Sequence, residues 1–131
     1  PAIWVDGATT VIAARSLLLS LEGKLTRPLI GIVGTPRDRD YPGVYSVLGA
    51  ACDALMLTEN HISPNVVFPE VDTALAAART HNANVRHAPA LPEALAMARA
   101  QAGKEGTILI AAALPVVAEA LQIYGLHYET I

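Results

Sequence analysis

Short apolar runs alternate with longer stretches of helical periodicity from one end of the chain to the other, and this alternation constrains the fold more than any other feature. Ala2 to Val5, Leu29 to Val33, Ala54 to Leu57, Asn84 to His87 and Thr107 to Ala111 read as strands. Several are β-branched or apolar on both faces, the pattern of parallel strands covered from both sides. Thr10 to Glu22, Val44 to Cys52, Pro69 to Thr80, Leu91 to Ala102 and Leu114 to Tyr124 are each long enough for a crossover helix. Their punctuation agrees. Thr10 is placed to cap the first, Pro69 and Pro92 fall near first-turn positions, and Gly23, Gly103 and Gly125 follow three of the ends.

Strands that alternate with helices predict an α/β domain of three layers, Rossmann-like, with a mostly parallel sheet of five or six strands and helices on both faces. Strand order is not legible at this level. The segment Leu126 to Ile131 reads either as an edge strand or as a frayed tail. The stripe Leu91, Leu95, Ala98 and Ala102 recurs at helical spacing and reads as packing. A length of 131 residues fits one domain, 1–131, and a 53% hydrophobic composition with only 5% aromatics predicts a core of small aliphatic side chains.

Charge and cysteine content exclude several classes. Nine Lys+Arg against twelve Asp+Glu, with no basic stripe, argue against nucleic acid as a partner. A single cysteine, Cys52, forbids an intrachain disulfide and suits a reducing compartment, so the expected location is the cytoplasm. The apolar run Ile108 to Ala118 is broken by Pro115 and falls short of the ~20 residues a membrane helix needs. His61, His81, His87 and His127 lack ligand spacing, so no metal site is predicted and most read as surface or loop histidines. No G-x-x-x-x-G-K-[ST] occurs, so phosphates are not cradled in the P-loop manner. No G-x-G-x-x-G follows the first strand either. Ser16, Ser20, Ser46 and Ser63 lack a nucleophile-elbow context, and Cys52 falls within a predicted helix, leaving no candidate for covalent catalysis.

Polar residues gather where strands end. Asp6, Thr9 and Thr10 follow the first, Thr35, Arg37, Asp38 and Arg39 the second, and Thr58, Glu59, Asn60 and His61 the third. In an open α/β sheet these loops share one rim, where ligands bind. Asp6 offers a carboxylate to a ribose or an amino group, and Thr9 and Thr10 offer hydroxyls to an oxyanion; equally, Thr10 caps a helix and Asp6 closes a turn at Gly7. Arg37 to Asp40 alternate in sign, which suits either an anion site or loose pairing among themselves. The loop Thr58 to Phe68 is the longest irregular stretch, of a kind that carries binding residues.

Taken in order, Ile3-Trp4-Val5-Asp6-Gly7-Ala8, Ile30 to Gly34 with Asp38-Arg39-Asp40, Asp53 to Thr58, Pro92-Glu93-Ala94-Leu95, and Ile108 to Ala111 with Glu119-Ala120 resemble the C-terminal domain of the Mur ligase superfamily, in its folylpolyglutamate synthase and dihydrofolate synthase branch. The likeness runs from Ile3 to about Leu121. It implies ATP-dependent, ADP-forming amide-bond ligation, in which a carboxylate is phosphorylated and then attacked by the amino group of an incoming amino acid, glutamate in this branch. ATP and Mg would be held through a central P-loop domain, the implied partner, and this chain would bind neither alone. The domain would close on that partner and help hold the nucleotide and the amino acid, with Asp6, Thr9, Thr10, Arg37, Asp38, Arg39 and Asn65 as the implied binding residues. Catalytic residues and metal ligands would lie elsewhere.

The chain departs from the pattern at polar positions. Thr9 stands for a histidine, Thr10 for an asparagine, Asn65 for an arginine, Arg39 for a lysine, and Ala112-Ala113 for Gly-Ser. Two further readings therefore remain: a divergent module of the same fold that binds without catalysing, and an unrelated doubly wound domain with a small-molecule rim site. Starting at Pro1 without a methionine, the chain is expected to be part of a longer one.

Overall fold

The computed structural model describes residues 1–125. In chain order these form β1 (Ala2–Asp6), α1 (Val11–Ser20), β2 (Leu29–Gly34), α2 (Tyr41–Ala51), β3 (Ala54–Leu57), α3 (Val71–Arg79), β4 (Val85–His87), α4 (Leu91–Ala102), β5 (Thr107–Ala112) and α5 (Leu114–Ile123). The strands make one sheet in the order β1-β5-β2-β3-β4, and each neighbouring pair is parallel. The three-layer α/β reading therefore holds with five strands. Leu126 to Ile131, read above as edge strand or frayed tail, lies outside the described residues.

Alternation along the central strands sorts the core into two layers. Leu29, Val33, Leu55, Leu57, Leu109 and Ala111 face Leu17 of α1, Leu48 of α2 and Ala78 of α3, while Ile30, Ile32, Met56, Ile108 and Ile110 face Leu95 of α4 and Val116 of α5. Both β2 and β5 are buried along their whole length because helices cover both faces. The outermost β1 differs: its residues alternate between exposed and half-buried, and Trp4 keeps 37% of its surface, because only one neighbour, β5, pairs with it.

Caps decide where helices begin. Thr10 Oγ1 accepts from the Ala13 N–H at 3.1 Å, so Thr10 precedes α1 rather than opening it. The second helix starts at Tyr41, three residues before the expected Val44, because Asp40 Oδ1 accepts from the Gly43 N–H at 3.0 Å and Pro42 fits the first turn. Pro69 and Glu70 lie ahead of α3 instead of inside it. Gly23 and Gly103 take φ of +80° and +65° after α1 and α4, conformations that a side chain disfavours.

On the amino-terminal side of the sheet, Asp53 ties β3 to β2. Its Oδ2 accepts from the Leu29 N–H at 2.7 Å and from Arg27 Nη1 at 2.9 Å. The Leu29 hydrogen bond, aided by the Arg27 guanidinium, holds the Asp53 carboxyl below its ordinary range against a smaller desolvation effect. Cys52 is buried at the end of α2, and burial, with the neighbouring Asp53 charge, pushes its thiol up to about 12.

Candidate functional site

The direction of the crossovers fixes where a ligand fits. Connections from β1 and β2 pass to one face of the sheet and that from β5, lying between them, to the other, so the chain separates above β5 and leaves a crevice at the carboxyl ends of the strands. A cleft of about 320 Å³ occupies this place, lined by Gly7 and Thr9 after β1, Pro36, Asp38 and Arg39 after β2, Ala113 and Leu114 after β5, and Asn65 and Val66 from the long loop. Gly34 permits the crowding beneath it: a Cβ there would lie 3.1 Å from Ala112 Cβ and 3.3 Å from Val116 Cγ2.

A second cleft of about 210 Å³ adjoins the first, with Asp38 and Asn65 common to both, and adds Arg37 and Val67. The two loops meet through the Arg37 N–H, which donates to the Val67 carbonyl at 2.7 Å. Both α1 and α5 begin beside the larger cleft, with their amino-terminal ends toward it, an arrangement that favours negative charge.

Of the residues singled out from sequence, Thr9, Asp38, Arg39 and Asn65 come together around one cleft, and Arg37 lines the adjoining one with Asp38 and Asn65. Arg37, Asp38 and Arg39 do not pair with one another. Among the described residues, the ion pairs formed are Arg27–Asp53, His61–Glu59 and His87–Glu59. Of the side chains in this charged run, Asp40 is engaged among the described residues, as the cap of α2. Thr10 is likewise occupied as a cap, and the exposed Asp6 ends β1 opposite Ala111 without lining either cleft.

The apolar wall formed by Val66, Ala113 and Leu114 was not anticipated, since aliphatic residues at a strand end look like core in a sequence. Nor was a cluster at the far side of the rim. Glu59 accepts or shares hydrogen bonds at both carboxylate oxygens, with His61 Nε2 at 2.6 Å on one and His87 Nε2 at 3.3 Å on the other. His87 ends β4 with only 17% of its side chain exposed. Asn60 Nδ2 donates to Glu119 Oε1 at 3.0 Å on α5. No group of three His, Cys, Asp or Glu among the described residues is placed to hold a metal ion.

Fold and cleft define an open α/β domain with an anion-favouring crevice at its topological switch point. The model of the Mur ligase, glutamate ligase domain family matches residues 1–114, and the chain belongs to that family. Among solved structures, Mycobacterium tuberculosis folylpolyglutamate synthase complexed with ADP is similar at a TM-score of 0.81 and 23% identity, over 97% of this chain and 30% of that one. E. coli FolC in complex with ADP, without folate substrate, is similar at 0.74 and 20%, over 94% of this chain and 28% of that one. The Yersinia pestis bifunctional folylpolyglutamate synthase/dihydrofolate synthase complexed with AMPPNP and Mn ion gives 0.73 and 18%, over 95% and 28%. At these identities the likeness is one of fold, and the chain spans less than a third of each of those structures. No curated protein matches the sequence. Among the described residues no helix is long and apolar enough to cross a membrane.

Proposed function

We propose that this chain is the C-terminal domain of an ATP-dependent, ADP-forming amide ligase of the folylpolyglutamate synthase type, which closes on a P-loop domain and helps hold the nucleotide and an incoming amino acid, glutamate in the first instance. The observation that carries the proposal is the pair of adjoining clefts at the switch point, walled by Arg37, Asp38, Arg39 and Asn65, whose side chains make no hydrogen bond or ion pair within the described fold. Groups left open in this way are available to a ligand. The residues fit the anionic part of a nucleotide: Arg39 offers a forked set of donors, Thr9 a hydroxyl, and the starts of α1 and α5 a favourable field.

Asp38 suits the ammonium group of an amino acid, and Arg37, in the adjoining cleft, suits a carboxylate. ATP would supply the phosphoryl group that activates the acceptor carboxylate. Mg belongs with the P-loop domain in this reading, since Asp38 is the single acid on the cleft wall. The apolar patch of Val66, Ala113 and Leu114 would exclude water when the two domains close. Reaction in the cytoplasm, with small-molecule substrates and no nucleic acid, is consistent with a net charge of −3 and one buried thiol.

The test is ligation by the polypeptide that contains both this domain and its P-loop partner. ADP release should require an amino acid and should fall on Arg39→Ala, while this chain alone should neither hydrolyse ATP nor bind it at micromolar concentration. Micromolar ATP binding by the isolated chain, measured by calorimetry, or ADP release indifferent to the amino acid, would overturn the assignment. Thr9 and Asn65 stand where the resemblance expects a histidine and an arginine, which favours one second reading, a non-catalytic binding module of the same fold. Amino-acid binding without ADP release would select it.

A further inference from the structure

Two walls of the rim cleft come from distant parts of the chain: Asn65 and Val66 stand on the long loop after β3, and Ala113 and Leu114 stand where α5 begins. Their spacing therefore depends on tertiary contacts. Asn60 makes such a contact. Its Nδ2 donates to Glu119 Oε1, inside α5, at 3.0 Å, and its Oδ1 accepts from the Ile62 N–H, two residues along the loop, at 2.9 Å. Asn60 keeps only 8% of its surface, and an amide buried to this depth is costly unless its polar atoms are engaged. One end of the side chain shapes the loop while the other fixes it to the helix. From Ile62 the loop reaches the cleft in short steps: the Val66 N–H donates to the Ser63 carbonyl at 3.2 Å, the Arg37 N–H holds the Val67 carbonyl at 2.7 Å, and Phe68 is buried in the core layer that α5 covers.

We infer that Asn60 is a positioning residue: by joining the loop to α5 through Glu119, it sets the spacing between the Asn65–Val66 wall and the Ala113–Leu114 wall of the cleft. Its consequence for ligand binding rests on the proposed function, whereas the joint itself involves no ligand. The position calls for a side-chain amide, because it donates at one atom and accepts at the other. Aspartate there would keep the acceptor for Ile62 but turn two carboxylates on each other. Glutamine at position 119 would still offer Asn60 a carbonyl oxygen. Made together, Asn60→Asp and Glu119→Gln reverse donor and acceptor, conserve net charge and nearly conserve shape, so both hydrogen bonds are rebuilt. A swap of this kind separates the joint from the mere presence of either residue.

Amide hydrogen exchange at one fixed pH, in the polypeptide that contains this domain and its P-loop partner, tests the joint. In Asn60→Asp the Val66 and Arg37 amides should exchange about fivefold faster, the worth of one hydrogen bond, while the Asp53 amide, bonded to the Leu29 carbonyl at the far end of the sheet, keeps its rate. Glu119→Ala removes the acceptor without adding a charge and should act alike, Glu119→Gln should stay near the parent, and the paired swap should restore parental rates. Unaltered rates at Val66 and Arg37 in both Asn60→Asp and Glu119→Ala, or an acceleration that the swap does not reverse, would overturn the inference. In ligation, Asn60→Asp and Glu119→Ala should raise the KM for nucleotide or amino acid about fivefold with kcat held within about twofold, and the swap should return it. An unchanged KM beside accelerated exchange would equally overturn the positioning role. Ligation absent from the parent itself counts against the proposed function, and the exchange rates then decide this inference alone.

Discussion

Arg39 and Asp40 are neighbours in sequence and opposite in structural role, so a paired substitution separates binding from folding. Asp40 caps α2 through the Gly43 N–H at 3.0 Å, and Arg39 makes no side-chain hydrogen bond or ion pair among the described residues while lining the rim cleft. Replacing a capping Asp by Ala costs about 1 kcal/mol. In a domain of this size that lowers the melting temperature by about 4 °C. Arg39→Ala removes no contact within the fold and should stay within about 0.5 kcal/mol of the parent. A charge-assisted hydrogen bond to a ligand is worth ~1.5–3 kcal/mol, and because Arg39 is exposed the lower end applies, which in the proposed ligase is about a tenfold rise in the apparent KM for nucleotide or amino acid. Calorimetry of this chain and steady-state kinetics of the proposed two-domain ligase give both quantities for both variants. If Arg39→Ala melts as early as Asp40→Ala and leaves KM unchanged, Arg39 serves the fold and the cleft has lost its principal cation.

Four further outcomes follow from the same geometry. Asp53, whose carboxyl is held below its ordinary range, contributes stability that is present above the unfolded value of about 3.9 and is lost as pH falls through the lower folded value. Asp53→Asn should therefore cost at most ~1 kcal/mol at neutral pH, the pair being largely exposed, with the gap to the parent closing in acid; a gap that widened in acid melts would contradict this. Thr35 Oγ1 is buried with no hydrogen-bond partner among the described residues, so Thr35→Val should leave chemical-denaturation midpoints equal or slightly raised, and a loss of ~1 kcal/mol would reveal a hydrogen bond unaccounted for. With its thiol buried and pushed up to about 12, Cys52 should react with a disulfide reagent only as fast as the chain opens, and rapid labelling of the native chain would disprove its burial. Asp6→Ala should leave the melting temperature unchanged, whereas Thr10→Ala should cost ~0.5–2 kcal/mol as a lost cap; equal losses would restore Asp6 as a turn-closing residue.

Strand and helix identity was legible because burial leaves a periodic trace. Leu29 to Val33 and Thr107 to Ala111 are apolar at successive positions, and they are the two central strands that helices cover on both sides. Boundaries were less legible where a polar side chain does backbone work: Asp40 read as one member of a charged loop and proved to be the residue that starts α2 three positions early. At the rim, Thr9, Asp38, Arg39 and Asn65 were visible as polar groups after strands, but their meeting depends on β5 inserting between β1 and β2, which no local pattern encodes. The Glu59 cluster was hidden for the same reason. Its formation needs β3 and β4 side by side with Leu57 opposite His87, a register that brings residues 59 and 87 together across the sheet edge.

The separation between core and rim explains how this chain retains the family fold while departing from the resemblance at Thr9, Thr10 and Asn65. Ile30, Ile32, Leu55, Met56, Ile108 and Ile110 are buried in the strands, and none of them belongs to the cleft. Thr9 and Asn65 line the cleft without a side-chain hydrogen bond within the described fold, so exchanging them alters what the crevice attracts with little effect on stability. Thr10 is the exception, since its hydroxyl caps α1; the side chain that departs from the expected asparagine has kept a structural duty that either residue performs. Selection on the core therefore places almost no restraint on ligand choice here. In the proposed function that choice falls to Arg37, Asp38 and Arg39, which stand on the loop that ends at the α2 cap, Asp40.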